Sequence, residues 1–189
     1  GEQRFGHNGG NVEKATRWFN GTLRPKNRSL SSIYLSAARS WVFNAILAER
    51  VRNGTWNQRV AGDIFMFDNS NAWFADDSSD ELPSRLHALD IHPTGALWGR
   101  GTLPSQADTL VLETAQAAQF PDLCAGLERN GLQQERRALR IKVTDLQMEQ
   151  VDASTLRLSF GLPASAYATV VLSEFGNFRD ASEMAKDTP

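Results

Sequence analysis

The side chains able to carry acid–base, nucleophilic or metal chemistry are few and scattered along this 189-residue chain. Its three histidines, His7, His87 and His92, share no ligand spacing with one another or with the single cysteine, Cys124, so no metal centre is expected. Cys124 lies in an apolar, helix-like run and reads as an inert thiol rather than a nucleophile. No serine occupies the Gly-x-Ser-x-Gly turn that presents a hydrolase nucleophile. Asp76, Asp77, Asp80 and Glu81 lack the glycine and bidentate glutamate of a calcium loop and suit a helix cap instead. Gly6-His-Asn-Gly-Gly-Asn11 offers backbone N–H groups to an anion, but no Gly-Lys-Ser/Thr follows it. No reaction can be read from these residues.

Charge says more. Residues 1–60 hold ten Lys and Arg against three acids, a balance of +7, and the remaining ten bases and 19 acids give −9 over residues 61–189. A basic, mostly arginine first third points to a polyanion, because arginine grips phosphate bidentately; the alternative is charge drift on a solvated surface. A second cluster, Arg129, Arg136, Arg137, Arg140 and Lys142, suits an RNA backbone or a solvated rim. The 41% hydrophobic and 22% charged fractions are those of a globular domain. No run approaches the ~18 apolar residues of a membrane span, and the N-terminus lacks the pattern of a signal peptide. One cysteine excludes an internal disulfide and makes a reducing cytoplasm the default.

These residues must be positioned by a mixed α+β set of elements. Residues 1–12 read as a glycine-rich loop and 13–20 as a short helix stopped by Asn20-Gly21. The strongest periodicity predicts a helix from Ser29 to Arg52, stopped by Asn53-Gly54. Leu30, Tyr34, Ala37, Ala38, Trp41, Val42 and Ala45 lie on its packing face, and Ser32, Ser36, Arg39 and Phe43 on the other. Asp63–Phe67 and Ala72–Phe74 flank a turn and predict a hairpin, and a short helix follows from Pro83. His92-Pro-Thr-Gly95 reads as a turn or loop. Helices are expected over 105–119 and 122–130. Period-2 runs through Leu139, Ile141 and Val143 and through Leu156, Leu158 and Phe160 predict strands, the second preceded by a turn at Asp152–Ser154. Tyr167 to Phe175 should form a last helix before a frayed tail.

Four segments in order carry a resemblance. They are Glu2-Gln-Arg-Phe-Gly6, Ser31-Ser-Ile-Tyr-Leu-Ser-Ala-Ala-Arg-Ser-Trp-Val-Phe-Asn44, His92-Pro-Thr-Gly-Ala-Leu-Trp-Gly99 and Leu162-Pro-Ala-Ser-Ala-Tyr-Ala-Thr169. Together they resemble the tRNA pseudouridine synthase D (TruD) family, in particular its bacterial members. The resemblance implies a catalytic domain of the pseudouridine synthase fold interrupted by a family-specific insertion domain. Residues 1–145 would be the mainly helical insertion domain with its small β-hairpin, and residues 146–189 a strand and helix returning to the catalytic domain.

It also implies a substrate, the uridine at position 13 of tRNA, and a reaction needing neither cofactor nor metal. The uracil must leave the RNA stack, and an essential aspartate in a Lys-Asp motif acts while it is detached, turned and rejoined through C5. That motif belongs to an N-terminal half that would be the chain's partner; Lys186-Asp187 stands in the tail and does not match it. No catalytic residue is therefore assigned, and the chain alone should be inactive. Two departures stand out: the expected Asn-Tyr-Phe does not precede Gly1, and Ser165 replaces the family's usual glycine. Candidate RNA contacts are Arg4, Arg28, Arg39, Arg136 and Arg137, and candidate cleft-lining residues are Phe5, Asn44, Thr94 and Tyr167. For Arg4 and Arg39 an internal ion pair stands beside phosphate contact, and Phe5, Trp98 and Tyr167 also suit a core. A non-catalytic RNA-binding module of the same ancestry is the alternative; a protein-interaction domain whose acidic region meets a basic partner is a third.

Overall fold

The computed structural model describes residues 2–6, 9–164 and 166–176. His7, Ser165, Lys186, Asp187 and the tail lie outside them. The chain divides into two units, Glu2–Lys142 and Val143–Pro189. The fold is α+β.

In the larger unit a 3-10 turn (Glu2–Phe5) precedes α1 (Gly10–Phe19) and α2 (Arg28–Arg52). The expected glycine-rich loop is thus shorter: α1 begins at Gly10, three residues before Glu13. Asn27 caps α2, its Oδ1 accepting from the Leu30 N–H at 2.9 Å. At the other end the Thr55 and Gly54 N–H groups donate back to the Arg50 and Val51 carbonyls, a Schellman stop in which Gly54 takes a φ of 65°. α1 ends on Asn20-Gly21 with the same bonding pattern.

β1 (Ile64–Phe67), β2 (Trp73–Ala75), β3 (Ile91–Leu97) and β4 (Glu135–Ala138) form an antiparallel sheet in the order β2-β1-β3-β4. α3 (Leu82–His87), α4 (Ala107–Ala117) and α5 (Pro121–Arg129) complete the unit. The hairpin, α3, α4 and α5 fall where the periodicity predicts them. The segment read as a loop, His92–Gly95, instead lies inside β3, whose seven residues are all buried. A strand covered on both faces shows no alternation, and its proline and two following small residues mimic a turn. Pro93 costs the ladder one donor, but its carbonyl accepts from the Leu139 N–H at 2.8 Å. Gly95 is closely packed: a Cβ there would lie 3.0 Å from Leu139, 3.1 Å from Phe43 and 3.3 Å from Ile46, so these side chains would have to give by a few tenths of an ångström.

α2 organises the core. Tyr34, Ala38 and Val42 meet Ala15 and Phe19 of α1 and Leu123, Cys124 and Leu127 of α5. Phe43, expected on the open face, is buried with Leu97 and Leu139, whereas Trp41, expected in the core, is 39% exposed. Both differences have one cause: α2 is packed against α1 and α5 on one side and against β3 on another, so its apolar stripe is wider and turned. The predicted strand through Leu139, Ile141 and Val143 does not form. β4 ends at Ala138, and Arg140 turns aside to bond the Leu86 and Ile91 carbonyls.

The smaller unit is a hairpin of β5 (Thr144–Gln150) and β6 (Leu156–Gly161) followed by α6 (Ala168–Ser173). Its turn is held by Asp152, whose Oδ1 accepts from the Ser154 N–H and hydroxyl at 2.8 and 3.0 Å. Among the described residues the two strands pair only with each other. Leu146, Met148 and Leu156 are exposed, with Met148 at 66%.

Candidate nucleic-acid interface

Residues three and four apart share a helix face, and on α2 this aligns Arg28, Ser32, Ser36, Ser40 and Asn44. Arg28 and Ser32 are exposed, Ser36 is half-buried and Asn44 is exposed. No acid occupies the first turn of α2, where Arg24, Lys26 and Arg28 add their charge to the positive end of the helix dipole. An open groove of about 350 Å³ runs along this face, with Ser32, Ser36 and Arg39 on its helix side and Leu132, Glu135 and Arg137 opposite.

β4 supplies the opposite wall because its side chains alternate. Glu135 and Arg137 point toward α2. Glu135 receives Arg39 Nη1 at 2.9 Å, and Arg137 Nη1 donates to the Ser40 hydroxyl at 3.3 Å. Arg4, delivered by the 3-10 turn, donates Nη1 to the same hydroxyl at 3.0 Å. The oxygen of Ser40, itself buried, can accept both. Arg137 also lies over the Phe43 ring, 5.1 Å from its centroid. Beside this pair of guanidinium groups, Phe5 meets the exposed Trp41 edge to face at 5.3 Å. Two cations and an accessible indole therefore stand together. They can grip a phosphate and stack an unpaired base, but offer no nucleophile or proton-transfer group.

The other candidates are placed differently. Arg39 is 14% exposed and engaged through all three of its nitrogens: besides Glu135 it donates to the carbonyls of Trp98 at 3.1 Å, Leu97 at 3.1 Å and Gln133. It takes the ion-pair alternative and ties α2 to the end of β3. Arg136 points away from α2 into the interior, where it makes a bidentate pair with Glu113 of α4 at 2.7 and 2.9 Å. Both side chains are 1% exposed. Arg136 also donates to Thr94 Oγ1 and to the Thr94 carbonyl, and Glu113 accepts from Ser105 and from the Ala96 N–H. Arg136 and Thr94 are thus held inside this network, where neither can touch RNA without its dismantling. Phe5 is buried at its ring contact, and Tyr167 lies at the start of α6 in the other unit.

Sequence reasoning missed Ser40 as the shared acceptor and Glu135 as the partner of Arg39. The spacing of Ser36, Ser40 and Asn44 was the available signal. Of the residues outside the face, Cys124 is buried, and burial with Glu128 nearby pushes its thiol up to about 12. Among the described residues no group of three or more His, Cys, Asp or Glu could hold a metal ion, and no helix is long and apolar enough to cross a membrane.

Comparison with known proteins gives a consistent answer. The family model for tRNA pseudouridine synthase D (TruD) matches residues 9–175. The tRNA pseudouridine synthase D of Hydrogenovibrio crunogenus is 50% identical over 174 residues, covering 92% of this chain and 50% of that protein. The one from Methylococcus capsulatus is 49% identical over 179 residues, covering 94% of this chain and 51% of its own length. A TruD crystal structure from Methanosarcina mazei superposes with a TM-score of 0.61 at 21% identity, over 88% of this chain and 41% of that one, and so supports the fold. The chain spans about half the length of the curated relatives it matches. With the family model matched along most of its length, the chain belongs to the tRNA pseudouridine synthase D family.

Proposed function

We propose that this chain is the RNA-holding part of a tRNA pseudouridine synthase, which isomerises the uridine at position 13 of tRNA in the cytoplasm. The observation that carries the reading is the convergence of Arg4 and Arg137 on Ser40, beside exposed Trp41. Guanidinium groups presented side by side can each give a phosphate charge-assisted N–H bonds. An indole on the same face suits an unstacked base. Arg28 extends the basic track along α2. Arg136 and Thr94, with their network, and Arg39, with its carbonyl contacts, hold the face rigid instead of touching RNA.

In this reading residues 1–145 are the insertion domain and 146–189 the return segment of the catalytic domain. The unit boundary after Lys142 and the hairpin, whose outer edges are unpaired among the described residues, support that division. The catalytic aspartate belongs to the portion of the relatives that this chain does not span, and no metal or cofactor takes part. Binding of a tRNA transcript should weaken about tenfold for Arg4→Glu or Arg137→Glu and fall steeply with salt. The chain alone should form no pseudouridine. Turnover by the chain alone would place the chemistry within these residues; unchanged binding by both variants would remove the interface.

A further inference from the structure

A second groove, of about 430 Å³, is lined by Asn57, Gln58, Arg59, Pro83, Leu86, His87 and Arg140. None of these is acidic. It is built by the loop after α2, by α3 and by the segment after β4, and it shares no lining residue with the groove along α2.

Arg140 is fixed in it. Its Nε donates to His92 Nδ1 at 3.1 Å, and its Nη2 donates to the Leu86 and Ile91 carbonyls. His92 is fixed in turn: with Nδ1 accepting, Nε2 carries the proton and donates to Asp68 Oδ1 at 3.0 Å. Arg59 is held through Nε by both oxygens of Asp76 and through Nη2 by Ser78. Among the described residues, Nη1 of Arg59 and of Arg140 makes no hydrogen bond, and the same holds for the side chains of Asn57, Gln58 and His87. Five donor-bearing side chains therefore converge with donors to spare, two of them on arginines locked in place. Burial draws the Arg140 guanidinium below its ordinary value. Pro83 and Leu86 give the groove an apolar floor against which a sugar could rest.

We infer that this groove is a second RNA-backbone site, in which Arg59 and Arg140 share a phosphate and Asn57, Gln58 and His87 hydrogen-bond its neighbours. The inference rests on the proposed tRNA-holding function and adds to it an anchor whose groove shares no lining residue with the one beside Arg137. Phosphate oxygens match the donor set because each accepts several N–H bonds and Nη1 of each arginine is presented in a fixed direction.

The test is tRNA-transcript binding by the whole chain from 50 to 200 mM salt, with inorganic phosphate titrated separately. Gln58→Glu and His87→Glu place a negative charge in the groove on exposed side chains that make no hydrogen bond among the described residues, and the Gln58 backbone, whose carbonyl accepts from Arg50, is left in place, so folding is spared; thermal unfolding checks this. Each should weaken tRNA about three- to tenfold and reduce the slope of log affinity against log salt by about one. Arg4→Glu serves as the comparison on the other face. Unchanged affinity and slope for the groove variants, with Arg4→Glu impaired, would overturn the groove and leave the first interface standing. Loss of inorganic phosphate binding with tRNA affinity intact would make it a free-anion site and also overturn the proposal. No tRNA binding by the unaltered chain at low salt would remove both.

Discussion

Neighbouring arginines on β4 should respond in opposite ways to the same change. Arg136→Ala removes four hydrogen bonds, two to Glu113 and two to Thr94, and leaves a carboxylate that is 1% exposed without its counter-ion. Breaking a buried pair by deleting one partner costs about 3–5 kcal/mol. Glu113 keeps the Ser105 hydroxyl and the Ala96 N–H, which places the loss toward the lower part of that range. In a unit of about 140 residues each kcal/mol moves Tm by about 3 °C, so a fall of about 10 °C is expected. Arg137→Ala deletes, among its contacts, a long bond to Ser40 and a cation–π contact, and these two together should cost about 1 kcal/mol. Unfolding followed by circular dichroism, with tRNA binding measured well below Tm, separates the two. Arg136→Ala should lose stability and keep affinity; Arg137→Ala should do the reverse. Arg136→Met combined with Glu113→Gln should recover much of the loss, since it leaves no buried charge. An Arg136→Ala chain of unchanged Tm and weakened RNA binding would refute this account of the network.

Other outcomes can be checked alongside. In hydrogen exchange, β5 and β6 should be poorly protected relative to β3, because among the described residues each has one unpaired edge, and both carry exposed apolar side chains; equal protection would show a self-sufficient sheet. Cys124 should react slowly with a thiol reagent at pH 8 until the chain is denatured. Its folded value of about 12 lies above the unfolded one of ~8.5, so its contribution to stability is present below pH ~8.5 and declines as pH rises toward 12. Gly99→Ala would place a Cβ 2.4 Å from the Gln133 carbonyl carbon and should destabilise by about 1–3 kcal/mol in urea melts.

Local signals made much of this fold legible. α2 announced itself through its length, its Asn27 cap and its Asn53-Gly54 stop, all interactions within a few residues. β3 was not legible, because burial on both faces erased the alternation that marks a strand, and Pro93 and Gly95 imitated a turn. The alternation of Leu139, Ile141 and Val143 imitates a strand, but pairing ends at Ala138 and Arg140 turns aside to the Leu86 and Ile91 carbonyls. The candidate interface was half legible. Arg4, Arg28 and Arg137 stood out by type, but which arginine faces outward depends on Glu113, 23 residues before Arg136 and on another element. A chain read one residue at a time cannot distinguish Arg136 from Arg137; strand alternation does.

Arg39 has a consequence for how any ligand is received. By gripping the carbonyls of Leu97 at the end of β3, of Trp98 just after it and of Gln133 before β4, it acts as a brace of fixed span. A braced groove cannot widen to suit its guest, so an RNA held there as proposed would have to do the adapting. Selection at this face would then be by the cost of deforming the RNA, favouring segments already bent to shape. Loosening the brace should broaden the range of RNAs accepted before it weakens the hold on any one of them.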